Sequence, residues 1–131
     1  MYIVGSWATK NLGGETPQLL VDGSSITPTD ARKGLIAFMS HESGNWEEFV
    51  IPESGGTPVN VSNSPAEDGV GTISPDGNWV AFASNREGAW AVFVAPTSGD
   101  QPPQKLFNFP KANPWGTGDR EWTNERMSWG K

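Results

Sequence analysis

Ile73-Ser74-Pro75-Asp76-Gly77-Asn78-Trp79-Val80-Ala81-Phe82-Ala83-Ser84-Asn85-Arg86-Glu87-Gly88-Ala89-Trp90-Ala91-Val92-Phe93-Val94-Ala95-Pro96-Thr97-Ser98-Gly99 decides the fold. Two apolar runs, Trp79–Ser84 and Ala89–Ala95, alternate with turn chemistry. Both are too short for helices and rich in Val, Phe and Trp, so they read as strands. Asp76-Gly77 favours a two-residue hairpin, because both residues take positive φ cheaply. Asn85–Gly88 and Pro96–Gly99 are the next breakers.

The same stretch occurs earlier in the chain. A displacement of 44 residues sets Ile36, Ala37 and Phe38 on Val80, Ala81 and Phe82. Ser40 then matches Ser84, Gly44 matches Gly88, and Trp46, Phe49 and Val50 match Trp90, Phe93 and Val94. Pro52, Ser54 and Gly55 match Pro96, Ser98 and Gly99. A period of roughly 40–45 residues with several short strands marks a β-propeller blade.

Ile26-Thr27-Pro28 echoes Ile73-Ser74-Pro75 at a spacing of 47, so three extra residues fall in Thr29–Gly34. They predict a longer charged loop holding Asp30, Arg32 and Lys33. Further strands are expected at Leu35–Ser40, Trp46–Ile51, Thr57–Val61, Gly71–Ser74 and Gln104–Phe107, with a surface connection at Ser62–Gly69. Toward the start, Tyr2–Trp7 and Pro17–Val21 read as strands around a Gly13-Gly14 turn, as if the chain opened near a blade's third strand. Asn108–Glu125 lacks alternation and reads as a long loop; loops of that length are often functional. Arg126–Lys131 resembles the entry to a further blade, with Trp129 in the place of Ile73. The expected organisation is a partial blade (1–24), a blade (25–69), a blade (70–107), and a loop with one further first strand (108–131). The fold class is all-β, with propeller-type blades of four antiparallel strands.

Ser74-Pro75-Asp76-Gly77, the strand Trp79–Phe82, the turn Ser84-Asn85-Arg86-Glu87-Gly88 and the strand Trp90–Val94 resemble the TolB-type β-propeller repeat. That repeat also occurs in tricorn protease and in propellers joined to prolyl-type peptidases. The first repeat departs from it: Asp-Gly is missing, and Glu42 stands where Arg86 stands. The resemblance implies four-stranded blades packed face to face, and a scaffold with no catalytic residue. A closed propeller needs at least four blades. Two full blades with partial ones therefore imply either a fragment of a larger protein or assembly of copies, a dimer first, so that apolar faces are not left in water.

Composition narrows the rest. The chain has 131 residues, net charge −6, 16 glycines, 11 prolines and no cysteine. Scattered basic residues argue against a nucleic-acid backbone as partner. Absent cysteine excludes disulfides, thiolate zinc sites and thiol catalysis. No signal-peptide pattern and no apolar run near the ~20 residues of a membrane helix is visible. A soluble protein of periplasm or cytoplasm, with no membrane insertion, is expected.

His41, the single histidine, falls in a turn and builds no Ser/His/Asp set. Asp76, Asp68, Glu67 and Asp30 fall at turns, where carboxylates bond their own backbone. Asp119, Glu121 and Glu125 cluster in the long loop without a calcium consensus. No catalytic residue, metal or cofactor is expected. Among seven tryptophans, Trp46 and Trp90 hold matched positions and Trp79 and Trp129 sit at strand starts, as blade packing would use them. Trp115 and Trp122 differ, lying in the non-repeating loop beside Asp119 and Arg120. They could stack on a glycan or anchor a protein; equally, the loop could fold back over a blade edge. The expectation is a non-enzymatic binding scaffold that assembles with itself. The alternatives are an accessory propeller fragment of a hydrolase or peptidase, and a carbohydrate-binding module.

Overall fold

The computed structural model describes residues 2–4, 7–9, 18–111, 114–115 and 122–130. Its strands are β1 (Tyr2–Val4), β2 (Trp7–Thr9), β3 (Gln18–Val21), β4 (Ile26–Arg32), β5 (Leu35–Ser40), β6 (Glu47–Pro52), β7 (Val59–Asn60), β8 (Asp68–Ile73), β9 (Trp79–Ser84), β10 (Ala91–Pro96) and β11 (Gln104–Asn108). β4-β5-β6-β7 and β8-β9-β10-β11 are two four-stranded antiparallel meanders. Phe38 pairs with Phe49 in the first and Phe82 with Phe93 in the second. Equivalent residues thus sit at equivalent places, and the two sheets are the two full blades.

The blades stack because their central strands are apolar on both faces. Val80, Phe82, Ala91, Phe93 and Ala95 of the second blade form one core with Ala37, Val50 and Val61 of the first. The first blade turns Ile36, Phe38 and Ile51 the other way, onto Ile26 and the partly buried Leu20 and Val21. Phe38 stacks on Phe49 at 5.3 Å and Phe82 on Phe93 at 6.3 Å. Strands buried on both faces lose the alternation of a half-exposed sheet, which is why these runs read as continuous.

The two β-hairpin turns exchange roles relative to expectation. Gly77 alone takes positive φ in the Asp76-Gly77 turn. Its N–H donates to the Ser74 carbonyl, so Pro75 and Asp76 form a tight turn inside the connection between Ile73 and Trp79. Proline presets the φ that position needs. The two-residue turn is instead Lys33-Gly34, with φ of 54° and 74° between the paired Arg32 and Leu35. Thr29–Gly34 is therefore not a loop. Ladder pairing continues through it to Arg32, and a register shift between Pro28 and Asp30 absorbs one residue, Thr29.

β8 begins at Asp68, inside what reads as connection. It carries a bulge between Gly69 and Thr72, with Val70 fully buried at φ 50°. A β-branched residue there is strained; the flanking glycines let the backbone approach its neighbours closely enough to hold it. At the other end of the chain, Tyr2–Trp7 divides into β1 and β2, paired antiparallel, while β3 lies parallel to β1. Beyond β11, Phe109 N–H donates to the Trp90 carbonyl, and Trp122–Asn124 form one 3-10 turn. Residues 125–130 join no sheet, but Trp129 N–H donates to Thr72 Oγ1 at 3.1 Å.

Arg86 binds the second blade's hairpin to its inner strand. It donates to Asp68 Oδ1 at 2.9 Å and to the Ser62 carbonyl at 3.0 Å, with its guanidinium 4.6 Å from the Phe93 ring centre. Glu42, in the equivalent place, solves the first blade's version with opposite charge, accepting Ser25 N–H at 2.9 Å. Burial raises the Asp68 carboxyl above its ordinary range even so, against the hydrogen bonds from Ser84 and Arg86 and the Arg86 charge. Arg86→Ala strands that buried carboxyl and is expected to cost about 3–5 kcal/mol, measured by urea denaturation. A loss under about 1 kcal/mol, the range of exposed pairs, would show that the pair holds nothing together.

Candidate functional site

One end of the stack gathers the tryptophans. Met39, Val70 and Ala83 form a buried floor, and Trp46, Trp90, Phe109, Trp115, Trp122 and Met127 pack on it, each partly buried. Trp46 and Trp90 reach it from the entries to β6 and β10; Phe109, Trp115 and Trp122 come from the loop after β11. Trp90 meets Trp115 at 5.3 Å and 85°, and Trp122 at 5.0 Å. Trp115 lies 6.1 Å from Trp122 and 5.6 Å from Phe109. Perpendicular and tilted contacts set ring edges against ring faces, as the quadrupole prefers. Gly69 makes room: a Cβ there would stand 2.6 Å from Met39 Cε and 3.0 Å from Trp122 Cζ3.

Of the residues singled out in the long loop, Trp115 and Trp122 thus come together, while Asp119 and Arg120 lie outside the described residues, as does Glu121. Trp90 joins them, where its matched position in the repeat points only to blade packing. Phe109, Trp115 and Trp122 pack over the buried floor with Trp90, and each stays partly open.

The turn carboxylates do not converge. Asp76 accepts the Ser74 hydroxyl at 2.6 Å and Asn78 N–H at 3.0 Å, and these bonds lower its pKa. Glu67 accepts Trp46 N–H at 3.3 Å. Glu125 begins the C-terminal segment, its N–H donating to the Trp122 carbonyl. Asp30 is a strand residue, and its Oδ2 crosses to the second blade to accept Ile73 N–H at 2.8 Å and the Thr72 hydroxyl at 3.1 Å. Among the described residues no three His, Asp or Glu side chains form a metal-holding group. His41 packs edge-on against Trp46 at 5.2 Å.

Sequence reasoning passed over Glu47 and Glu48, both buried. They hold the places of Ala91 and Val92, and that mismatch between repeats was the signal available. Glu47 accepts the Asn60 amide and Ser64 N–H. Glu48 lies in the seam between blades, where it accepts the Thr29 hydroxyl at 2.6 Å and Gly71 N–H at 3.1 Å. Burial pushes its pKa up to about 8; the bonds from Thr29 and Gly71 and the Arg126 charge oppose this, and the Asp68 charge adds to it. Glu48 is therefore protonated at neutral pH. It is sealed from solvent, so it acts on the seam and not on a ligand.

No family model matches the chain, and no curated protein matches it. Among solved structures it is similar to one from Agrobacterium tumefaciens described as "putative TolB", at 20% identity and a TM-score of 0.47. The match covers 57% of this chain and 31% of that one, so this chain spans under a third of that protein's length. Among the described residues no helix is long and apolar enough to cross a membrane.

Glu48 makes the seam pH-dependent. Its folded pKa, about 8, exceeds its ordinary 4.5, so the folded state holds a proton that the unfolded chain releases. That contribution is complete below pH 4.5 and declines as pH rises to about 8, by about 1.4 kcal/mol per unit within the window. Glu48→Gln keeps the shape without the proton. Its unfolding free energy is expected to vary less with pH between 5 and 8 than that of wild type, as read by chemical denaturation; equal slopes would place Glu48 outside the effect.

Proposed function

We propose that this chain is a non-enzymatic, propeller-type binding module whose tryptophan-lined end receives a protein partner. The observation that carries this is the gathering of Trp90, Trp115 and Trp122 at one end of the blade stack, each half-buried and ring-to-ring. Indoles held by one another present apolar area without rotamer entropy to lose, the property of interface anchors. Two of the three come from the loop that breaks the repeat, where binding residues are carried on a rigid scaffold.

The ring geometry favours a protein over a glycan. A sugar stacks on an open, flat indole face, whereas Trp115 and Trp90 stand nearly perpendicular, with the edge of one ring set on the face of the other. The carboxylates support binding rather than hydrolysis: Asp30 and Glu48 are engaged in blade-to-blade bonds, Asp68 in its ion pair with Arg86 within the second blade, and Asp76 in its own turn.

The test is a peptide array and a glycan array probed with wild type, Trp115→Ala and Trp122→Ala, each checked for native circular dichroism. Peptide signals that fall at least about tenfold in both variants, the loss of one anchor residue, are the expected result. Tryptophan-dependent signal on glycans alone would replace this reading with carbohydrate binding. Signals unchanged in both variants would remove the tryptophans from the site.

A further inference from the structure

Two routes lead from the buried carboxyl of Glu48 to the indole of Trp122. The first runs along β8. Glu48 accepts Gly71 N–H at 3.1 Å. Gly69, two residues earlier, lies against Trp122, where an added Cβ would stand 3.0 Å from Cζ3. Between the two glycines Val70 is fully buried at φ 50° and belongs to the floor under the tryptophans. A β-branched residue in that region is strained and persists only while its surroundings fix it. The bulge is thus held by the acid on one side and the indole on the other.

The second route runs through Arg126. Its guanidinium donates to the Thr123 carbonyl at 3.0 Å, to the Glu125 carbonyl at 2.6 Å and to the Pro28 carbonyl of the first blade at 3.2 Å. Thr123 lies within the 3-10 turn Trp122–Asn124, so these bonds tie the turn that carries Trp122 to β4. Thr29, next to Pro28, donates its hydroxyl to Glu48 at 2.6 Å. Arg126 therefore sits one residue along β4 from the acid's own partner, and its charge acts on Glu48.

The other charges around Glu48 are engaged elsewhere. Asp68 on β8 is paired with Arg86. Asp30 on β4 accepts Ile73 N–H and the Thr72 hydroxyl. Glu47, beside it on β6, accepts the Asn60 amide and Ser64 N–H. β5 opposes it with the uncharged Met39. Arg126 is held by neutral carbonyls, and a carboxylate is the stronger acceptor for a guanidinium.

We propose that ionisation of Glu48 draws Arg126 from the 3-10 turn toward the seam, loosening Trp122 and so coupling the tryptophan end to pH. While Glu48 keeps its proton, the carboxyl exerts little pull and the turn stays clamped. When the proton leaves for solvent, the buried anion needs a counter-charge, and Arg126 supplies it. The ties from Thr123 and Glu125 to β4 are then lost, and the bulge loses the indole that fixed Gly69. A partner at the tryptophan end is released as pH rises; that consequence rests on the end being a binding surface, whereas the switch is a property of the chain alone.

Acrylamide quenching of tryptophan fluorescence tests this without any ligand, from about pH 6.5 to about pH 9.5, a span in which lysine stays charged. Quenching of wild type is expected to rise with a midpoint near 8, where Glu48 loses its proton, at constant far-UV circular dichroism. Glu48→Gln should lose the rise. Arg126→Gln should show the raised quenching already at the lower pH, with no further change. Trp122→Phe should lose most of the rise. Arg126 is exposed, so its variant decides the matter should Glu48→Gln not fold. Flat wild-type quenching overturns the proposal, as does a rise that persists in Glu48→Gln, in Arg126→Gln or in full in Trp122→Phe. A parallel loss of circular dichroism overturns it too, since the blades would then be separating together. Arrays without peptide signal would remove the partner and leave the switch, and flat quenching would remove the switch and leave the array result standing.

Discussion

β8 lies across the first blade with two of its backbone N–H groups answered by carboxyl side chains from that blade. Asp30 takes Ile73 and Glu48 takes Gly71. Buried peptide groups need partners, and these two lie two residues apart on β8, the edge strand of its sheet, whose alternate N–H groups point away from β9. Without the two acids, the inner strand of one blade could not lie dry against the next. Gly71 belongs to the same constraint: a Cβ there would stand 2.4 Å from Glu48 Oε1.

The seam therefore has two characters. Its middle is apolar, with Phe82 and Phe93 against Ala37, Val50 and Val61, and supplies area. Its inner margin is polar, with Asp30, Thr29, Glu48 and Thr72 joined by hydrogen bonds, and sets how one blade lies on the other. Apolar contact alone tolerates sliding, whereas directed bonds do not. Protonation of Glu48 spares the fold a buried charge, and the nearby Asp68 is paired with Arg86 at 2.9 Å.

One surface follows from this stacking. The tryptophan end is built on the bulge of β8, since Val70 is part of its floor, and it is dressed by a loop outside the repeat.

The all-β architecture, the two meanders and the equivalence of their strands were legible in the residues, because turn glycines and paired aromatics are local signals repeated at a fixed offset. The gathering of Trp115 and Trp122 was half legible: their place in a non-repeating loop set them apart, but not their packing on Trp90. Three things needed the tertiary structure. Asp76-Gly77 and Lys33-Gly34 exchange turn types because Pro75 fixes a backbone angle while β4 extends its pairing. Asp30 leaves its supposed loop because that strand runs on to Arg32. Glu48 becomes a buried acid because a neighbouring strand, 23 residues away along the chain at Gly71, presents an N–H to it. Local conformational preference is written in adjacent residues; the environment of a side chain is set by whatever the fold brings opposite, and no stretch of sequence carries that alone.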